Sequence, residues 1–176
     1  MKRTLATLAL SFLIFSCKKD IKELPPATQT GANTFGAMVN GDMWVPQGFG
    51  SINASNILET RLLGNNLFIT AQNFASSPNE SEFDIRVIGL TSTGVYPLNS
   101  NVSHPSSSYS YAYYVKRRLT PLYEWITSSV NTGSVSVSRF DTAARIVSGT
   151  FSFSGGEITN AAPVLNVTEG RFDLKY

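Results

Sequence analysis

From residue 34 onward the chain is a series of short apolar runs cut by turn residues, and no long stretch holds a capped helical period. Thr34-Phe35-Gly36-Ala37-Met38-Val39 leads through Asn40-Gly41 into Met43-Trp44-Val45. Asn-Gly between apolar runs predicts a tight hairpin, because both residues tolerate positive φ. Residues 57–63 and 67–73 flank Gly64-Asn65-Asn66 and predict a second hairpin. Residues 82–90 alternate, with Phe83, Ile85 and Val87 on one face and Glu82, Asp84 and Arg86 on the other. That is the pattern of a half-buried antiparallel strand. Gly94-Val95-Tyr96-Pro97-Leu98 is a short strand placed at an edge by its proline. Residues 99–108 form a Ser-rich loop, and 109–116 and 122–127 are strands. Residues 134–140 and 145–153 run either side of an Asp141-Thr142-Ala143-Ala144 turn, and Gly155-Gly156 ends the second of them. Residues 164–168 and 170–176 supply two closing strands, the last of them central in its sheet. Nine or ten short strands with turns between them predict an all-β antiparallel sandwich or flattened barrel over residues 34–176.

What precedes this domain has a different character. Lys2 and Arg3 are followed by an apolar stretch over residues 5–15, broken only by Thr7 and Ser11. This has the layout of a secretory signal, and it is shorter than the roughly 20 residues a bilayer span needs. It ends in Ile14-Phe15-Ser16-Cys17, where Cys17 is the one cysteine of the chain. The run resembles the lipobox of bacterial lipoproteins. The resemblance implies cleavage after residue 16, a diacylglyceryl group on the Cys17 thiol and an acylated amino terminus. Residues 1–16 are then a lipoprotein signal peptide, and the mature protein is held at the membrane through acyl chains without crossing it. Residues 17–33 carry charges and then Pro, Thr and Gly, a composition that predicts a flexible tether. Lys18, Lys19, Asp20, Lys22 and Glu23 partly resemble the charged sorting stretches of surface-exported Bacteroidetes lipoproteins. The cell surface and the periplasmic leaflet both stay open.

Loss of the signal changes the charge balance. Of 14 Lys and Arg, Lys2 and Arg3 go, leaving 12 basic against 12 acidic side chains. A neutral mature chain has no general pull toward nucleic acid. Acylation of Cys17 leaves no thiol for a disulfide, a metal or a nucleophile.

The domain's chemistry is sparse. His104 is the only histidine, and no nucleophile elbow accompanies it. It reads as a solvated loop residue, and one imidazole is too few for a histidine metal site. Glu80, Glu82 and Asp84 crowd one stretch without a calcium-loop pattern, and they read as the solvent face of a strand. Neither a metal nor another cofactor is expected, the domain is read as non-catalytic, and a hydrolase ranks low. Tyr109, Tyr111 and Tyr113 alternate, which puts their rings on one sheet face. If that face is exposed they form a platform for sugar stacking; if it turns inward they are core. Lys116-Arg117-Arg118 is a basic run that suits an anionic ligand, or an edge kept soluble. Asp141-Thr142-Ala143 resembles the acceptor of Bacteroidetes O-glycosylation at Thr142, and is also a good turn.

Gly133-x-Val135-x-Val137, Phe140-Asp141, Ile146-Val147-Ser148-Gly149-Thr150-Phe151-x-Phe153 and Gly170-Arg171-Phe172, together with Asn40-Gly41-x-x-Trp44, resemble a family of Bacteroidetes lipoproteins whose all-β domain has no assigned function. The resemblance covers most of residues 34–176 and implies a cell-envelope location. It brings no active site. The reading of function is a lipid-anchored outer-membrane lipoprotein that binds glycan or acts as a scaffold, with a partner-binding subunit of an envelope complex as the alternative.

Overall fold

A computed structural model describes residues 21–48, 57–75, 80–116, 123–159 and 162–176. Among them are eleven strands: β1 Thr34–Val39, β2 Asp42–Trp44, β3 Leu58–Leu63, β4 Asn66–Asn73, β5 Ser81–Val87, β6 Gly94–Leu98, β7 Tyr111–Lys116, β8 Tyr123–Ile126, β9 Gly133–Asp141, β10 Ile146–Glu157 and β11 Leu165–Lys175. All their pairings are antiparallel. The order is β2-β1-β11-β10-β8-β7-β5-β4-β3, with β9 beside β10 and β6 beside β9. This is one curled sheet, a half-barrel, and the all-β expectation holds.

The hairpins form where the turn residues demand them. Asn40 and Gly41 both have positive φ, 51° and 89°, as the tight β1–β2 turn requires. β3 and β4 pair across Gly64-Asn65. The joint between the two halves of the curl is β10. Its first part lies between β9 and β11, and its end, Gly156 and Glu157, pairs with β8. Gly155-Gly156 therefore does not end the strand, contrary to the sequence reading. A side chain at Gly155 would put its Cβ 2.9 Å from the Cβ of Trp125, so glycine lets the two halves approach. Residues 164–168 and 170–176 also turn out to be one strand, β11. A register shift and the left-handed Glu169 (φ 51°) carry it through the expected gap. It lies centrally, between β1 and β10.

The concave side holds the core, centred on the fully buried ring of Phe83. Trp44 and Tyr114 sit 4.6 and 4.7 Å from it, Phe35 at 5.6 Å, and Phe153 and Phe151 at 6.1 and 6.2 Å. These offset and edge-on packings join β1, β2, β5, β7 and β10 and stabilise beyond plain burial. Trp44 Nε1 donates to Ser81 Oγ at 2.7 Å, so its polar atom is satisfied inside the core.

The end of the expected tether belongs to the fold. From Thr28 to Ala32 the chain is tied to β11 through one carboxylate, that of Asp173, and ahead of this Leu24 and Pro25 pack over Gly36 of β1. Composition predicts a flexible spacer there; a buried anion in the domain supplies the hydrogen-bonding partner that composition does not reveal. Cys17 and residues 1–20 lie outside the described residues.

Candidate functional site

The outer face of β4, β5 and β7 carries a polar and aromatic lattice. Cross-strand register sets Phe68, Arg86 and Tyr111 in one row, and Thr70, Asp84 and Tyr113 in the next. The loop between β6 and β7 folds over this lattice. His104 stacks on Tyr113 with ring centres 3.7 Å apart and planes 4° from parallel. Tyr111 Oη accepts from the Ser106 N–H at 3.1 Å and lies 3.0 Å from His104 Nδ1. Which of the two donates in the Tyr111–His104 bond depends on the tautomer of the imidazole. Arg86 donates to the Ser106 carbonyl at 2.8 Å and to Asp84 Oδ2 at 2.7 Å, and its guanidinium lies over the rings of Phe68 and Tyr111 at 5.1 and 5.7 Å. Asp84 Oδ2 is 3.7 Å from His104 Nδ1, too far for a hydrogen bond but near enough to act through its field.

Burial lowers the pKa of His104 and the charge of Arg86 lowers it further; Asp84 pulls the other way without reversing the shift. Burial raises the pKa of Tyr111. A neutral imidazole between a phenol and a flat ring has the chemistry of a latch: it holds the loop down and meets the Tyr111 hydroxyl it covers.

This geometry corrects three sequence readings. Tyr111 and Tyr113 share a face as expected, yet they are 0% and 4% exposed under the loop, while Tyr109 lies ahead of β7 and is 52% exposed. The three rings do not form an open platform. His104 is not a solvated loop residue, because its ring covers Tyr113. Asp84 is buried rather than solvated, because the same loop closes over it. Lys116 ends β7 half-buried, and Arg117 and Arg118 lie outside the described residues. Thr142 is exposed in the β9–β10 turn. Among the described residues no three His, Cys, Asp or Glu side chains converge as metal ligands would.

A second cluster escaped the sequence reading. Asp173, 1% exposed, accepts from the N–H groups of Thr30, Gly31 and Ala32 at 2.9, 2.7 and 3.1 Å. It also accepts from the hydroxyls of Thr28 and Ser148 at 2.6 and 2.7 Å. Gly31 and Asn33 have positive φ, 72° and 55°, which helps successive N–H groups converge on one anion, as in a backbone nest. Burial by itself works to raise the carboxyl's pKa. The hydrogen bonds from Thr28, Ser148, Thr30 and Ala32 overcome it and hold the group far below the usual carboxylate range. The clue in sequence was an Asp flanked by Phe172 and Leu174, but only the folded chain brings its donors to it.

Beside this clamp, residues 21–26 form one wall of a groove of about 650 Å³. The other walls come from Phe35 of β1, Val45 and Pro46 after β2, and Ile57 and Leu58 at the start of β3.

A family model, described as a domain of unknown function (DUF6252), matches residues 32–173. The chain belongs to the DUF6252 family. No curated protein and no solved structure matches it. The DUF6252 match runs from just before β1 to Asp173 itself and includes the whole His104 lattice. Thr28, Thr30 and Gly31, which clamp Asp173, stand ahead of the matched span.

Proposed function

We propose that this DUF6252 protein is a lipid-anchored lipoprotein of the Bacteroidetes outer membrane, with acyl chains on Cys17 and a domain that binds or scaffolds rather than catalyses. The observation that carries the reading is the placement of the Asp173 clamp directly behind the lipobox-like run. Eleven positions separate Thr28 from Cys17, about 40 Å of chain at full extension. A clamp there ties the anchored end of the chain to the central strand, on the side of the domain that carries the groove. The non-catalytic part rests on His104: its Nδ1 is engaged by Tyr111 and its face by Tyr113, which leaves it serving the loop. Glycan stays the ligand class read from sequence, but the proposal places no weight on Tyr109, Tyr111 and Tyr113 as a joint stacking surface.

The test is metabolic labelling with palmitate followed by membrane fractionation, for the natural chain and for Cys17→Ser. The natural chain takes up label and sediments with outer membrane; Cys17→Ser does neither. An unlabelled natural chain free in the medium would refute the anchor.

One observation favours the partner-binding alternative. β6 pairs only with β9 among the described residues, and Val95 on it is 69% exposed. An edge strand with an exposed apolar side chain suits strand addition by another envelope protein. Cross-linking in whole cells should then give a discrete heavier species, and recovery of monomer alone would count against it.

A further inference from the structure

We propose that the groove beside the clamp receives an acyl chain of Cys17 when the lipid end is out of the bilayer; this rests on the lipid-anchor reading above. Ile21, where the described chain begins, lines the groove, and Cys17 is four residues before it, within about 14 Å at full extension. The lining matches an aliphatic chain. Leu24, Pro25, Val45, Ile57 and Leu58 offer apolar surface; among the described residues the uncharged polar lining is Asn33 and Thr34, and the charged lining, Lys22 and Glu23, lies on the N-terminal segment itself. A sugar would need convergent polar groups there; a hydrocarbon needs none. The volume, about 650 Å³, falls within the usual range of small-molecule sites, roughly 300–1,000 Å³.

The wall is also made in advance. Asp173 fixes residues 28–32, and Pro25 and Leu24 rest where a side chain at Gly36 would come within 2.8 and 3.2 Å of them. An occupant therefore need not order the strap. A chain tied on by four residues has an effective concentration on the order of millimolar, which favours the protein's own acyl group over free lipid. The groove would then shield hydrocarbon from water during any passage between membranes and release it where a bilayer competes.

The full lipidated protein tests this. Cells fed labelled palmitate make the protein with p-benzoylphenylalanine in place of Leu58, or of Val95 on edge strand β6, which does not line the groove, as control. Intact mass establishes acylation first. Irradiation out of detergent, then digestion, should join the acylated Cys17 peptide to the peptide holding position 58. The yield should be at least tenfold above that from position 95 and the same at two protein concentrations. The same probe at Ile57 repeats the measurement should the position 58 variant misfold. An acylated protein with no such product, with equal yields at 58 and 95, or with a yield that rises with protein concentration would overturn the proposal while leaving the anchor intact. A protein without acyl groups would overturn the anchor reading, and this proposal with it.

Discussion

Replacing Asp173 by asparagine keeps the size of the side chain and removes its charge. The carboxylate accepts from Gly31 and Ser148 on Oδ1, and from Thr28, Thr30 and Ala32 on Oδ2. An amide has one acceptor oxygen, so whichever way it turns, its NH₂ faces at least two of these donors. Hydrogen bonds to a charged acceptor contribute about 1.5–3 kcal/mol each, and a buried donor left without a partner costs about 1–3 kcal/mol. Two or three are lost together, and the strap recovers part by turning to water, so a net loss of about 3–5 kcal/mol is expected. Urea unfolding of the mature protein in mild detergent measures it. Hydrogen exchange locates it: the amides of Thr30, Gly31 and Ala32 should exchange far faster in Asp173→Asn, whereas Thr28→Ala, which removes one bond, should cost only about 1 kcal/mol. The pH dependence gives an independent check. The folded carboxyl is held below its unfolded value, so its contribution is complete above about pH 4 and is lost as pH falls, by about 1.4 kcal/mol per pH unit. The variant should therefore show an acid slope shallower by one proton below pH 4. A loss under about 1 kcal/mol with an unchanged acid slope would refute the clamp.

The loop latch predicts a second loss on acidification, beginning at a higher pH. His104 is held below its unfolded value near 6.5, so its neutral form stabilises fully above that pH and the gain erodes as pH falls through the lowered folded value. His104→Phe, which keeps a ring over Tyr113, should flatten this dependence with Asp84, Arg86, Tyr111, Glu82 and Glu124 unchanged; His104→Ala should also lose about 1 kcal/mol of stacking. Equal slopes for the natural chain and His104→Phe would show that the imidazole is not the titrating group. In the core, Phe83→Ala removes the ring that touches five others and should cost about 3–5 kcal/mol in urea unfolding; a cost near 1 would mean the core collapses around the gap. Gly149→Ala would put a Cβ 2.2 Å from the Ser136 carbonyl oxygen, so about 3 kcal/mol or more should be lost; a neutral result would mean β9 and β10 can part there.

Local rules were enough for the strands and their hairpins. Phe83, Ile85 and Val87 face the core because alternation and burial share a period of two, and Asn40-Gly41 turns because its backbone must. The same rules misplace Asp84, leave open which way Tyr111 and Tyr113 face, and say nothing of what meets Asp173. An alternating pattern assigns polar residues to water, and it does not register a loop or an N-terminal segment folding back over the outer face. Whether a polar face stays wet depends on contacts between residues far apart in the chain, such as Thr28 with Asp173 and His104 with Tyr113. Each residue type on that face was plain from the sequence; only the tertiary structure decided its company, because a buried charge or phenol is tolerated only where distant donors and acceptors converge on it.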